Sequence, residues 1–236
     1  MSSKECGTTD GFGGRDLAGL LPAAKAKTEK EERQMYFKMI GSLILFWGPL
    51  IATSIYLAIC YIFPGQSEIF QTKLDFIRRH DLGWVYAAWF VANLAKAYVS
   101  INANGARGPA RLDRPDQHIY QVMAQSGPLA TAPYVLMATE GPAGRFNRAQ
   151  RAAANLDEGM PLFLTGLLLQ GAVFGPLACC LALLYLYSTC RFAEGYKAGS
   201  KQRMAGFMLM ALPVQLSGSL VALVAFQTLV RPMLQL

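Results

Sequence analysis

Phe146-Asn147-Arg148-Ala149-Gln150-Arg151-Ala152-Ala153-Ala154-Asn155-Leu156-Asp157-Glu158-Gly159-Met160-Pro161 runs directly into an apolar stretch, residues 160–174. That stretch alone is too short to cross hydrocarbon, which takes about 20 residues as a helix. The helix it belongs to must therefore enter the membrane carrying the polar residues before it. Arg148, Arg151, Asn155 and Glu158 are spaced by three, four and three, so at helical periodicity they share one face. Polar groups at membrane depth turn inward, pair with one another and mark a pathway or site. The stretch predicts a long helix, polar at one end and membrane-embedded at the other.

Further apolar runs lie on both sides of it. Residues 39–63 carry no charge and are long enough to span; Gly48 and Pro49 inside them are tolerated by membrane helices. Residues 66–80 read as a polar, amphipathic connector. A second span is expected at about 84–103. It contains Lys96, a costly charge that would snorkel to the interface or face the bundle interior. After the third span, Gly175-Pro176 leaves room only for a tight antiparallel turn. The fourth and fifth spans follow at about 177–196 and 203–230, with a kink expected at Pro213. Between the second and third spans, residues 105–144 form a connection broken at Gly108-Pro109, Arg114-Pro115, Gly127-Pro128, Ala132-Pro133 and Gly141-Pro142. Its portion 119–137 is partly apolar and reads as packed on the bundle or lying at the interface.

The composition agrees. Only 16% of the 236 residues are charged and the mean hydropathy is +0.27, against about a quarter charged in a soluble domain. The net charge of +7 has no dense basic run with interleaved aromatics, so nucleic-acid binding is set aside. The tail, the 105–151 region and the 197–203 turn hold most of the basic residues. With five spans they fall on one side, which the positive-inside rule makes cytoplasmic, with the C-terminus opposite. The tail has acids and no early apolar run, which reads against a cleaved signal peptide. Cys6, Cys60, Cys179, Cys180 and Cys190 form no CxxC, and His80 and His118 lack ligand spacing, so neither a disulfide framework nor a metal site is expected.

Two readings of the polar helix face stand side by side. Arg151 and Glu158 form an internal ion pair that holds helices together. Alternatively, Arg, Asn and Glu form a kit for a zwitterionic peptide: a guanidinium forks a carboxylate, a carboxylate takes an ammonium and an amide bonds a peptide group. Arg203, at the turn between the last two spans, reads either as a positive-inside anchor or as a cation that stabilises a thiolate.

Taken together, Phe146-Asn147, Gln150-Arg151-Ala152, Asn155, Glu158 and Pro161 resemble the second-helix signature of a known family. This is the membrane-associated proteins in eicosanoid and glutathione metabolism (MAPEG), and the likeness is to its microsomal glutathione transferases, the type-3 branch. Gly195-Tyr196 and Arg203 resemble the end of that family's third helix and the start of its fourth. Lys96, Tyr98-Val99 and Gly105 are similar to the end of its first helix, and Pro115 and Tyr120 to its first loop. The likeness covers about residues 84–230.

The resemblance implies an all-α membrane protein: a four-helix transmembrane bundle of MAPEG type with one additional N-terminal transmembrane helix. The expected divisions are a flexible cytoplasmic tail at 1–34, the extra helix and connector at 35–80, and the four-helix domain at 81–236. It further implies a homotrimer that binds glutathione between subunits near the cytoplasmic face. Arg151, Asn155, Glu158 and Tyr196 match glutathione-binding positions, and Arg203 matches an arginine that activates the thiol. Lipophilic substrates would enter from the bilayer, with the endoplasmic reticulum as the family's usual membrane and a mitochondrial or plastid membrane left open because the sequence carries no readable address. The sequence departs from the pattern at Ala154, Gly159, Thr189 and Phe192, where relatives often carry polar or aromatic residues.

Two functions follow as expectations. One is a glutathione transferase or peroxidase acting on lipophilic electrophiles and lipid hydroperoxides. The other is a non-catalytic protein of the same fold, a structural subunit or lipid-presenting partner docked in a larger membrane complex through the extra helix. A small transporter or channel has no inverted repeat or charged ring to support it.

Overall fold

The computed structural model describes residues 20–112, 118–120 and 136–233, apart from the side chains of Ser200 and Lys201. The Gly127-Pro128 and Ala132-Pro133 breaks, and the packing of most of 119–137, lie outside the described residues. Every named element among the described residues is helical, and Tyr120 and Met137 meet in an isolated antiparallel bridge.

Helix α1 runs continuously over Glu29–Ile62. Thr28 starts it with a capping box: its hydroxyl accepts from the Glu31 backbone N–H at 3.2 Å, and the Glu31 carboxylate accepts from the Thr28 N–H at 2.8 Å. Glu29, Glu31 and Glu32 in the first turn suit the positive end of the helix dipole. Two π-helical turns, Phe37–Gly41 and Leu43–Trp47, precede the stretch that carries Pro49 near its start. The expected boundary at residue 34 therefore falls inside a helix whose first turns pack on the bundle. No residue in its most apolar 18-residue window is fully buried.

Helix α2, Pro64–Arg79, is the expected connector, and none of its residues is buried. Helices α3 (Gly83–Gly105), α4 (Gly141–Gly171), α5 (Gly175–Ala198) and α6 (Ser200–Ala225) form the bundle. α5 packs against α3, α4 and α6, so it is the central element. Helix α6 runs through Pro213, which is buried, and continues as far as Met233.

The core rests on small residues. Ala88, Ala92, Ala95 and Val99 form a fully buried stripe on α3 and meet Leu156, Phe163 and Leu167 of α4 and Ala178, Ala182 and Tyr185 of α5. Stripes of this kind let membrane helices approach closely. Phe163 stacks on Tyr185 with ring centroids 3.9 Å apart. A second cluster, Ala103, Ala106, Ala110, Leu112, Phe146 and Ala149, closes the basic end. There the Arg107 guanidinium lies 5.2 Å from the Phe146 ring centre, a cation–π contact.

The outside of the bundle is apolar as well. Trp84, Trp89, Leu162, Leu169, Leu183, Phe207 and Leu216 are exposed, a surface suited to lipid rather than water. Glu29–Ile62, Gly175–Ala198 and Gln202–Met233 are long and apolar enough to cross a membrane. Helices α3 and α4 have the length, but Lys96 and Asn102 in one and Arg145 to Glu158 in the other dilute their hydropathy.

The polar face of α4 departs from expectation. Arg151, Asp157 and Glu158 do not turn into the chain's own bundle; their side chains are 51%, 53% and 63% exposed. The inward positions belong to Ala149, Ala152, Leu156 and Phe163, so the charged face is left on the periphery. Lys96 finds Asp157 across the α3–α4 seam, where the two form an ion pair.

Candidate functional site

The α5–α6 hairpin brings the second group of candidate residues together. Its helices touch backbone to backbone: a Cβ at Gly206 would fall 2.6 Å from the Phe192 Cα, and one at Gly195 would fall 2.7 Å from the Gln202 carbonyl oxygen. Glycine at both positions allows this approach. As a result the Arg203 guanidinium sits over the Tyr196 ring, 5.4 Å from its centre. The Tyr196 ring meets Phe192 edge-on at 5.3 Å.

Two adjoining cavities open beside this pair. One, of about 250 Å³, is lined by Asn155, Phe192, Tyr196, Arg203, Met204 and Phe207. The other, of about 540 Å³, shares Tyr196 and Arg203 and adds Arg148, Arg151 and Glu140. The structure thus brings Arg151, Asn155, Tyr196 and Arg203 around one opening between α4 and the hairpin. Glu158 borders neither cavity; it accepts a hydrogen bond from Arg151 at 3.2 Å, two turns along α4. Two guanidiniums, an amide and a phenol can serve an anionic ligand with planar, charge-assisted hydrogen bonds.

The remaining polar residues of the α4 face hold structure. Asn147 donates to the Ile119 and Ala138 carbonyls at 2.7 and 2.9 Å and accepts from the Ile119 N–H at 2.9 Å. Arg148 donates to the carbonyls of Thr139 at 2.6 Å and Lys197 at 3.1 Å, which fixes the end of α5 against α4. Thr189 and Phe192, at the divergent third-helix positions, are both buried.

A buried polar cluster next to the opening escapes the sequence reading. The Lys197 side chain is 1% exposed and contacts Glu29 at 2.6 Å, Glu194 at 3.0 Å and Asn102. Glu29 also takes Arg145 at 2.8 Å. Glu194 takes Arg33 at 2.9 Å and the Tyr98 hydroxyl at 2.7 Å. A Cβ at Gly105 would lie 2.2 Å from the Arg33 side chain, so glycine there lets α1 seat on α3. The cluster joins α1, α3, α4 and α5. Glu29 and Lys197 stand 168 residues apart, and no local spacing announces their meeting. The i,i+3 pair Glu194–Lys197 is the fragment that sequence periodicity contains.

Comparison with known proteins adds to this geometry. The MAPEG family model matches residues 85–224. Leukotriene C4 synthase of Bos taurus is 32% identical over 132 residues, covering 55% of this chain and 72% of that protein. Microsomal glutathione S-transferase 2 of Bos taurus is 38% identical over 65 residues, 27% of this chain and 44% of that protein. With its apolar helices and lipid-suited exterior, the chain is an integral membrane protein, and it belongs to the MAPEG family.

Proposed function

We propose that this protein is a membrane-bound glutathione transferase that joins glutathione to lipophilic electrophiles or reduces lipid hydroperoxides with it. The observation that carries the proposal is the Arg203–Tyr196 stack at the opening shared with Arg151 and Asn155. Family membership and two relatives, one named as a glutathione transferase, support it.

In this reading Arg151 and Asn155 take a carboxylate and a peptide group of glutathione. Glu158 leaves its pair with Arg151 to receive the ammonium, and Tyr196 steadies the peptide beside the hairpin. Arg203 places its charge on the sulfur. A free thiol of pKa ~8.5 is mostly protonated at neutral pH, and an adjacent guanidinium raises the thiolate fraction. The thiolate then forms a bond to an electrophilic carbon, which expels its leaving group or takes up a proton. With a hydroperoxide it attacks the oxygen, the O–O bond breaks to release an alcohol, and a second glutathione converts the resulting sulfenic acid to glutathione disulfide and water. Holding both reactants in one site supplies proximity.

The exposure of Arg151 and Glu158 on the single chain favours closure of the site by a neighbouring subunit, hence a homotrimer. Four bundle spans plus α1 make five, with the basic segments cytoplasmic and the endoplasmic reticulum membrane as host. A second reading, a structural or lipid-presenting subunit of a larger complex, draws on the unburied apolar length of α1.

Turnover separates the two. The purified protein is given glutathione and a small aromatic electrophile, then a lipid hydroperoxide. Conjugation or reduction that is lost in Arg203→Ala and Glu158→Gln, with fold and oligomer intact, supports the enzyme. No turnover by the wild type with either substrate class leaves the subunit reading.

A further inference from the structure

Helix α1 touches the bundle at its first turns and then runs clear of it. Glu29 and Arg33 pin that end through Lys197, Arg145 and Glu194. Beyond them, a groove of about 970 Å³ separates α1 from α3. Its walls are apolar: Phe37, Ile44 and Leu45 on one side, Leu94 and Ile101 on the other. The two π-helical turns of α1 run along it.

The rim of the groove is cationic. Lys30, Arg33 and Lys38 line it, with Glu29 as the one acid among the lining residues. Glu29 is committed to Lys197 and Arg145, and Arg33 to Glu194. Lys30 and Lys38 have no ion-pair partner among the described residues. Two uncommitted ammonium groups therefore stand at the mouth of an apolar slot. They lie just before the apolar length of α1, the position that borders the headgroup layer when such a helix crosses a bilayer. Juxtamembrane lysines at this level attract anionic lipid, each by roughly a fivefold change in affinity.

We propose that the α1–α3 groove is a binding site for one anionic phospholipid from the surrounding leaflet. Its phosphate lies between Lys30 and Lys38. One acyl chain lies along Phe37, Ile44, Leu94 and Ile101. Charge complementarity selects the headgroup, and the apolar walls select an acyl chain over a free anion. The bound lipid also covers apolar surface of α1 that the other described residues leave exposed. This site is separate from the opening at Arg203 and does not depend on glutathione chemistry.

The test is native mass spectrometry of the full-length protein released from nanodiscs of phosphatidylcholine containing a minor share of phosphatidylglycerol. The wild type is expected to retain phosphatidylglycerol in preference to phosphatidylcholine. Lys30→Ala with Lys38→Ala should cut that retention by about fivefold per lysine removed. Leu94→Trp, which fills the slot, should lower retention of both lipids; the exposed lysine pair keeps the test decisive if the tryptophan disturbs folding. A photocrosslinker at Ile44 should capture lipid. Equal retention of the two lipids by the wild type, undiminished retention by the lysine variant, or capture of a second protein chain from Ile44 would overturn the proposal.

Discussion

Arg203 is exposed at the start of α6, and its guanidinium rests on Tyr196 rather than on a carboxylate. A cation held by an aromatic face keeps its donors for a ligand, unlike Arg33 or Arg145, which are spent on Glu194 and Glu29. Removing it should lower kcat and also raise KM for glutathione, because a lowered thiol pKa in the bound state is by linkage tighter binding of the thiolate. Arg151→Ala and Asn155→Ala should raise KM for glutathione with kcat little changed, since in the proposed site they hold parts of the peptide that do not react. Steady-state kinetics at varied glutathione checks both; a fall in kcat alone for Arg151→Ala would contradict its assignment. At this scale the sequence was informative because the spacing of Arg151, Asn155 and Glu158 needs nothing but helical geometry. It did not show which way the face points. That depends on Ala152, Leu156 and Phe163 claiming the interior, a competition settled by packing on α3 and α5.

Among the elements, α1 crosses the division expected at residue 34. The Lys- and Glu-rich run before residue 35 reads as a solvated tail because its charges alternate in sign. In the fold two of those charges, Glu29 and Arg33, find partners more than sixty residues away, on α3, α4 and α5. A buried cation with two carboxylates is costly to leave half-paired. Lys197→Met should destabilise the protein by roughly 3–5 kcal/mol, as expected when one member of a buried ion cluster is lost. Thermal unfolding in detergent reads the loss, and a variant that melts with the wild type would contradict the burial. Glu29→Gln should release the first turns of α1, and hydrogen exchange over 29–36 should rise while α3 to α6 keep their protection. Because Lys197 adjoins Tyr196, the docking of α1 also steadies the turn that carries the candidate site. The α5–α6 hairpin was clearer, since a short turn between apolar runs admits only antiparallel packing. The closeness that Gly195 and Gly206 allow could not be foreseen without the crossing geometry.

For the whole molecule, apolar runs outline the bundle that the fold contains, with α3 to α6 lying where residues 84–230 resemble the family. The basic segments meet at one end of the bundle: Leu21 reaches Arg111 through backbone and side chain, and Glu29 reaches Arg145 and Lys197. In the proposed five-span arrangement that end lies on one side and the C-terminus on the other. Single cysteines introduced near residues 25 and 233 should label from opposite faces of sealed vesicles; labelling from one face would contradict the five-span count. The proposed homotrimer predicts a mass of three chains in mild detergent. It also predicts that Arg151 and Glu158, exposed on one chain, become protected in the assembly. Neither the proposed trimer nor the course of α1 beyond its docked turns is legible from residue patterns, because both depend on what covers exposed apolar surface.

The central claim is that Arg203 lowers the pKa of a glutathione thiol bound beside Tyr196. Its most direct test is the ultraviolet thiolate absorbance of the purified protein with glutathione, titrated against pH for the wild type and Arg203→Ala. The account predicts bound thiolate at neutral pH in the wild type and a midpoint that returns toward the free value of ~8.5 in the variant. A wild type with no thiolate below that value, or a variant whose midpoint is unchanged, would contradict it.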